Sequence, residues 1–143
     1  MEEKTTGIDL FRHIFEISQQ TITITTLFEG LYLEVNPAFE KPTGYSREEV
    51  IGKTTSDIKI WEDPNFRKNL IAQLLEKGKV RNIESSFRRK DGTIGYTIIS
   101  GKIINYNGTQ CLFAFFEDIS QQKAKELEHN YTINNLPLGI FKS

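Results

Sequence analysis

The sequence predicts one α+β domain in which helices pack on an antiparallel sheet. Three observations lead to this fold class. An amphipathic helix precedes a two-stranded hairpin, short interrupted helical segments follow, and three long strands joined by tight turns come last. A length of 143 residues fits a single domain that buries its own hydrophobic core.

The first element is predicted as an amphipathic helix from Ile8 to Gln20. Phe11 and Phe15 lie on its apolar face, which further aliphatic residues widen. Because this face is broad for a lone surface helix, we expect it to pack on the sheet or on a second copy of itself.

A hairpin and a short helix come next. Alternating β-branched residues predict a strand over Thr21–Phe28, and after a turn at Gly30 a second alternating run ends at Val35. Asn36-Pro37 has the residue types of a helix cap and first turn, and Gly44 is a stop signal. These signals predict that a short helix follows the hairpin directly.

Two further helices are indicated by their capping residues. Ser46 and Glu49 have the spacing of a capping box, which predicts a short helix. Asp63 as N-cap and Pro64 at the first helical position predict the start of a longer helix. Gly78 is expected to end that helix.

Three long strands are predicted after this helix. They run over Val80–Arg89, Thr93–Ile104 and Thr109–Glu117, and glycine-containing turns link them. The last strand is apolar on both of its faces. We therefore expect it to be central in the sheet and covered on both sides.

A polar, helix-forming stretch follows the sheet from Gln121 to Tyr131, with Ser120 as its predicted N-cap. Ala124 and Leu127 begin a short coiled-coil-like seam in this stretch. The expected organisation is a cap helix over 1–20, a core over 21–118, a linker helix over 119–131 and the truncated start of another segment over 132–143.

Three motifs resemble those of the PAS domain family. Val35–Phe39 together with Thr43–Lys53 resembles the N-x-x-F…GY…E-x-x-G signature of that family. Arg89–Thr93 resembles its second hairpin, and Phe116–Ser120 resembles its closing D-I-T/S motif. The resemblance extends over about residues 8–130. It implies a PAS fold with a five-stranded sheet of order 2-1-5-4-3, helices on one face and the N-terminal helix on the other.

The resemblance also implies a function. PAS domains are sensor and dimerisation modules, so the expectation is a homodimerising sensory domain of a multidomain signalling protein. A histidine kinase is the favoured parent, and the linker helix would pass the signal to an output domain in cis. A diguanylate cyclase parent or a ligand-free interaction module are the alternatives. Leu136–Phe141 resembles the start of a second PAS domain.

A ligand pocket between helices and sheet is implied, with a filled core as the competing interpretation. Thr97 and Ala114, with neighbouring Gly101, are small residues that would leave room for a ligand, whereas Phe87 and Phe116 could fill that room. The candidate lining residues are Phe39, Tyr45, Ile58, Trp61, Phe66, Leu70, Leu74, Phe87, Thr97, Ile99, Leu112, Ala114 and Phe116.

Two further sets of residues have predicted roles. Asp118 and Ser120 are the candidates for signal relay, because a carboxylate and a hydroxyl at the junction of strand and linker helix can accept backbone N–H groups. The candidates for a dimer face belong to the first helix and to the outward side of the last strand. They are Phe11, Phe15, Phe113 and Phe115.

The sequence contains no candidate residues for a catalytic centre or a metal site. Neither His13 nor His129 has the flanking pattern of a histidine kinase phosphoacceptor, and no glycine-rich phosphate loop is present. The only cysteine, Cys111, is predicted on a strand, which argues against a covalent flavin adduct. Residues 63–78 contain no histidine, which argues against haem. Non-covalent flavin, a small organic ligand and an empty pocket stay open.

Composition narrows the partners further. A net charge of −1 provides no electrostatic footprint for nucleic acid or anionic lipid. A single cysteine excludes an internal disulfide, which favours a cytoplasmic location. No apolar run approaches the roughly 18–20 residues that span a bilayer, so we expect no membrane contact by this chain.

Overall fold

The computed structural model describes residues 6–134 of the chain. Five helices, one 3-10 turn and five strands follow one another along this part in the predicted order. In chain order these are α1 Gly7–Ile17, β1 Thr21–Thr26, β2 Tyr32–Val35, a 3-10 turn Pro37–Phe39, α2 Glu40–Thr43, α3 Arg47–Val50, α4 Phe66–Lys77, β3 Lys79–Arg88, β4 Ile94–Tyr106, β5 Thr109–Asp118 and α5 Ser120–Asn134.

The five strands form one antiparallel sheet in the order β2-β1-β5-β4-β3, so the predicted fold class and strand order are confirmed. Phe116 of β5 pairs with Thr21 of β1 on one side and with Ile99 of β4 on the other. β5 is therefore the central strand, as its two apolar faces predict.

The core lies between the sheet and the helices α2 to α4. Leu70 and Leu74 of α4 pack with Ile99, Leu112 and Ala114 of the sheet. A second cluster under β2 joins Tyr32, Val35, Phe39 and Val50. Two adjoining clusters leave a space between them, where the cavity described below is found.

The opposite face of the sheet is covered in part by α1. Phe11 of α1 lies 6.0 Å from Phe113 of β5, measured between ring centres. Phe15 is only 6% exposed, and Ile22 and Ile24 on the same face of β1 are buried. The N-terminal helix therefore packs on the face opposite to α2–α4.

Several boundaries differ from the prediction. α1 ends at Ile17 rather than Gln20 because Ser18 adopts an extended conformation. A capping box of Thr6 and Asp9, which the sequence analysis missed, begins this helix. β1 ends at Thr26 instead of Phe28, since the chain turns there towards β2.

Asn36 does not cap the short helix, contrary to the prediction. Its side-chain oxygen accepts the backbone N–H of Ile22 at 2.9 Å, and its amide nitrogen donates to the carbonyl oxygen of Gln20 at 2.9 Å. Asn36 is 2% exposed. The amide therefore joins the end of β2 to the start of β1, a bond that local capping rules do not describe.

The predicted starts of α4 and α5 are also wrong. α4 begins at Phe66, after the N-cap residue Asn65, and the carboxylate of Asp63 instead accepts the backbone N–H of Asn65 at 2.9 Å. Ser120 is the first residue of α5, so it does not precede the helix as a cap. At both helix starts, an aspartate carboxylate accepts the backbone N–H of the residue two positions later: Asp63 from Asn65, and Asp118 from Ser120. Each aspartate thus forms a local turn just before its helix.

The proposed segment over 132–143 lies largely outside the described residues. Its first three residues continue α5, which is described to Asn134. Within residues 6–134, every helix is too short or too polar to cross a membrane.

Candidate ligand cavity and relay site

A cavity lies between the inner face of the sheet and the segments α2 and Ile60-Trp61. Its volume is about 40 Å³, which is more than the roughly 10–15 Å³ that one water molecule needs. Its surface is mostly apolar. The lining residues are Thr21, Thr23, Tyr32, Phe39, Pro42, Thr43, Ile60, Trp61, Phe87, Thr97, Phe116 and Asp118.

Five of the predicted pocket residues line this cavity. They are Phe39, Trp61, Phe87, Thr97 and Phe116. Their elements converge because Trp61 makes an isolated bridge to Phe87 and its ring lies 5.9 Å from that of Phe116. The sheet and the segment before α4 are thus held together at the wall of the cavity.

The other eight candidates lie elsewhere in the interior. Leu70, Ile99 and Leu112 line a smaller space of about 10 Å³ next to the cavity. Phe66, Leu74 and Ala114 belong to the first core cluster, and Tyr45 and Ile58 pack on the second. Part of the predicted set therefore packs in the core, and part of it lines the cavity.

Gly101 leaves no room for a ligand, contrary to the expectation from its size. A Cβ atom at this position would lie 2.8 Å from Cδ1 of Leu112 and 3.0 Å from the carbonyl oxygen of Phe113. Close packing of β4 and β5 therefore occupies the space that the glycine frees.

Threonines form much of the polar part of the wall, and the sequence analysis missed most of them. The hydroxyl of Thr43 donates to the carbonyl oxygen of Phe39 at 2.7 Å, and that of Thr97 donates to the carbonyl oxygen of Glu117 at 2.9 Å. Their hydrogen atoms are thus engaged by the backbone. Burial raises the pKa of the Tyr32 phenol, so this residue lines the cavity in its neutral form.

Asp118 lies where the cavity and α5 meet. It lines the cavity and also a surface cleft beside it, which marks this side as the mouth. Its carboxylate oxygen Oδ1 accepts the backbone N–H of Ser120 at 2.9 Å and also accepts the Ser120 hydroxyl. The two predicted relay residues are thus bonded to each other.

Arg89 connects the same junction to the helical side of the cavity. Its Nε donates to the carbonyl oxygen of Pro42 at 3.0 Å, and its Nη2 donates to the hydroxyl oxygen of Ser120 at 3.0 Å. The Ser120 hydroxyl oxygen also accepts the backbone N–H of Tyr96 at 2.9 Å. Sequence reasoning placed Arg89 only in a hairpin motif, because no local pattern indicates bonds to partners 47 and 31 residues away.

The predicted dimer-face residues separate into two groups. Phe15 is buried within the chain, and Phe113 and Phe115 are partly buried, with ring centres 5.1 Å apart. Phe11 is 42% exposed. The strongly exposed apolar residues of α1 are others, which the sequence analysis treated as widening of the helix face. They are Ile8, Leu10, Ile14 and Ile17.

The residues present do not fit a flavin or a haem. A cavity of about 40 Å³ is far smaller than the roughly 300–1,000 Å³ of typical ligand and cofactor pockets, so neither ring system fits. Cys111 is fully buried on the face of β5 opposite to the cavity, and His13 and His129 are exposed on α1 and α5. Among residues 6–134, no cluster of three or more His, Cys, Asp or Glu side chains is placed to hold a metal ion.

Comparison with known families agrees with this geometry. A family model described as PAS domain matches residues 20–121, which is most of the chain. The chain therefore belongs to the PAS domain family, a class of sensory domains.

A curated protein is similar to this chain over most of its length. The chain is 28% identical over 120 residues to a methyl sulfide methyltransferase-associated sensor of Methanosarcina acetivorans, covering 82% of this chain and 12% of that protein. The chain thus spans about an eighth of the length of this curated relative.

Solved structures show the same fold. A PAS domain from Colwellia psychrerythraea superposes with a TM-score of 0.68 at 21% identity, covering 80% of this chain and 98% of that one. A domain of a sensory box sensor histidine kinase/response regulator from Geobacter sulfurreducens superposes with a TM-score of 0.63 at 22% identity, covering 78% and 93%.

Proposed function

We propose that this chain is the sensory domain of a multidomain signalling protein and that it reports the occupancy of its cavity through α5. The ligand is a small molecule of a few non-hydrogen atoms. Its binding displaces the cavity wall, and the bonds of Asp118, Ser120 and Arg89 pass that displacement to the first turn of α5. An output domain in cis receives the signal.

One observation carries the proposal. Asp118 both lines the cavity and accepts the backbone N–H of Ser120, so one carboxylate contacts the binding space and the start of the helix. Arg89 supports it from the other side through Pro42, which is also in the cavity wall. A shift of either wall changes the bonds that orient α5.

A histidine kinase is the parent protein that we favour, with a diguanylate cyclase as the alternative. The name of the Geobacter relative, a sensor histidine kinase/response regulator, supports the first choice. The Methanosarcina relative is named as a sensor. Sequencing of the region that follows residue 143 in the full-length chain decides between a kinase, a cyclase and another output.

Native mass spectrometry of the purified chain tests the ligand. We expect a bound small molecule, and we expect a Thr23→Ile variant to lose it because the larger side chain occupies the space. Thr109→Ile places the same change at an exposed position and is the matched control. A clean mass for the unmodified chain, with no change in α5 hydrogen exchange on screening small metabolites, contradicts the ligand-sensing role.

A second function is homodimerisation through α1, with or without a ligand. The observation that favours it is the set of apolar residues that α1 leaves exposed, including Ile8 at 74% and Ile17 at 78%. Large contiguous apolar patches on soluble domains mark interaction surfaces. A ligand-free interaction module is the outcome if the chain dimerises and retains no small molecule.

A further inference from the structure

A small enclosed space lies between α4 and the inner face of the sheet, next to the cavity. Its volume is about 10 Å³, at the lower end of the roughly 10–15 Å³ that one water molecule needs. Trp61, together with Arg67 and Leu70 of α4, lines one side of it. The size of the space therefore limits its occupant to a single non-hydrogen atom.

Two hydrogen-bond donors belong to side chains that line this space. Nε1 of Trp61 and Nε of Arg67 are buried atoms, and neither has an acceptor within residues 6–134. Buried polar atoms are paired with protein groups or ordered water in the great majority of cases, and an unpaired one destabilises the fold. Indole and guanidinium N–H groups can only donate. An occupant that accepts two hydrogen bonds would therefore satisfy both atoms.

The guanidinium of Arg67 is held in place by the backbone of the first hairpin. Its Nη2 donates to the carbonyl oxygens of Thr26 at 2.7 Å and Leu27 at 3.1 Å. A Cβ atom at Gly30, where φ is +72°, would lie 2.8 Å from Nε and 2.7 Å from Oγ1 of Thr55. Only glycine tolerates both this conformation and this approach. Because Arg67 and Thr55 both line the enclosed space, their polar atoms meet at one corner of it.

Hydroxyl groups in the wall can accept the hydrogen atoms of a water molecule. Thr23 and Thr25 of β1 line the space together with Thr55, and all three residues are buried. Oγ1 of Thr25 lies 3.4 Å from Nη2 of Arg67, so this hydroxyl is next to the guanidinium. A buried water typically makes about three hydrogen bonds. Two N–H donors and these hydroxyl oxygens provide that number.

A halide ion is the competing occupant, because Arg67 forms no ion pair within the described part of the chain. Chloride is larger than a water molecule, and the space is already at the lower limit for water. The two carbonyl oxygens that accept from Nη2 also offset part of the positive charge. Both observations favour water.

We propose that this enclosed space binds one water molecule, whose oxygen accepts the N–H groups of Trp61 and Arg67. Its hydrogen atoms are donated to threonine hydroxyl oxygens in the wall. Because Trp61 also lines the cavity, the water fixes an indole that forms part of the cavity wall. The site goes beyond the cavity function proposed above, since the water is bound whether or not the cavity holds a ligand. Failure of one proposal leaves the other standing.

A high-resolution crystal structure of the chain tests the occupant directly. The expected result is one peak of electron density within about 2.7–3.2 Å of both Nε1 and Nε. Crystals soaked in sodium bromide distinguish water from a halide, because bound bromide gives an anomalous signal. An anomalous peak in the space overturns the proposal. Nε1 and Nε bonded to protein acceptors, or a space without density, also overturns it.

Nuclear magnetic resonance tests the same water in solution, because Trp61 is the only tryptophan and gives one indole N–H signal. We expect a cross-peak between this N–H and the water frequency in a rotating-frame Overhauser spectrum, with a sign opposite to the diagonal. That sign marks contact with a bound water, whereas hydrogen exchange gives the sign of the diagonal. A spectrum of the folded chain without such a cross-peak contradicts the site.

Threonine hydroxyl protons exchange with water and can relay such a cross-peak, so variants that lack one hydroxyl are the matched controls. Thr23→Val, Thr25→Val and Thr55→Val each keep the volume of the side chain. The cross-peak should persist in all three, because the two N–H donors stay in place. A cross-peak that one valine variant abolishes is assigned to that hydroxyl, and this result contradicts the bound water.

Discussion

Nη2 of Arg89 lies 3.0 Å from the hydroxyl oxygen of Ser120, the first residue of α5. The same guanidinium donates through Nε to Pro42 in the cavity wall and lies over the ring of Phe87, with Cζ 5.3 Å from its centre. One side chain therefore contacts two residues that line the cavity and the residue at which the linker helix begins.

Replacement of Arg89 by glutamine should separate α5 from the cavity wall. We expect a loss of about 2 kcal/mol in the free energy of unfolding, because hydrogen bonds from a charged donor are lost. Amide hydrogen exchange over residues 120–129 should become faster as the first turn frays. Arg81→Gln, at an exposed arginine of β3, is the control. Equal exchange in both variants contradicts the role given to Arg89.

Asp118→Ala should loosen the start of α5 and leave the sheet intact. The carboxylate accepts the N–H and hydroxyl of Ser120, and a hydrogen bond of this kind contributes about 1 kcal/mol to stability. Hydrogen exchange in residues 120–131 reports the change. Protection equal to that of the unmodified chain would show that Asp118 does not hold this helix. Glu117→Ala, at the exposed neighbouring residue, is the control.

The stability of the α3 region should depend on pH through Glu49. The Lys90 ammonium, together with the Ser46 N–H, lowers the pKa of Glu49 to about 2. A lowered carboxyl pKa stabilises the fold above the ordinary value of 4.5, and that contribution is lost as pH falls towards 2.

Glu49→Gln isolates this contribution, because glutamine keeps the capping box with Ser46 and removes the charge. The melting temperature should fall below that of the unmodified chain at pH 7, and the difference should vanish near pH 2. A difference that stays constant across this range would assign the effect to packing.

The exposed face of α1 should decide the oligomeric state. Ile14 and Ile17 are 51% and 78% exposed, so an Ile14→Glu, Ile17→Glu double variant keeps the fold and prevents an apolar contact between two copies. Sedimentation should give a dimer for the unmodified chain and a monomer for the variant. Phe28→Glu changes a 65% exposed residue outside α1 and should remain dimeric.

The strands could be predicted because alternation and turn chemistry act locally. Asn107 and Gly108 both have positive φ, as the turn between β4 and β5 requires, and the sequence pair alone predicts that. The two apolar faces of β5 likewise predicted its central place. Alternation of apolar and polar residues identifies the strands. A strand that is apolar on both faces is expected in the centre of the sheet.

The site could be predicted only in part, because its polar residues reach across the fold. Arg67 donates to backbone oxygens about forty residues away, and Asn36 bonds to the start of β1 rather than to the helix beside it. Such long side chains leave no periodic signal. The extent of the cavity was unpredictable for a related reason, since the volume left between Phe87, Phe116 and Trp61 depends on their relative tilt.

The pairing of Thr21 with Phe116 has a consequence for a longer protein. β1 starts and β5 finishes at the same end of two neighbouring strands, so the chain enters and leaves the sheet at adjacent points. A domain whose chain enters and leaves at adjacent points can be inserted between two helical segments of a longer protein. The distance between those two helical segments then changes little. Copies of such a unit can be added or removed while the path between the flanking parts is preserved.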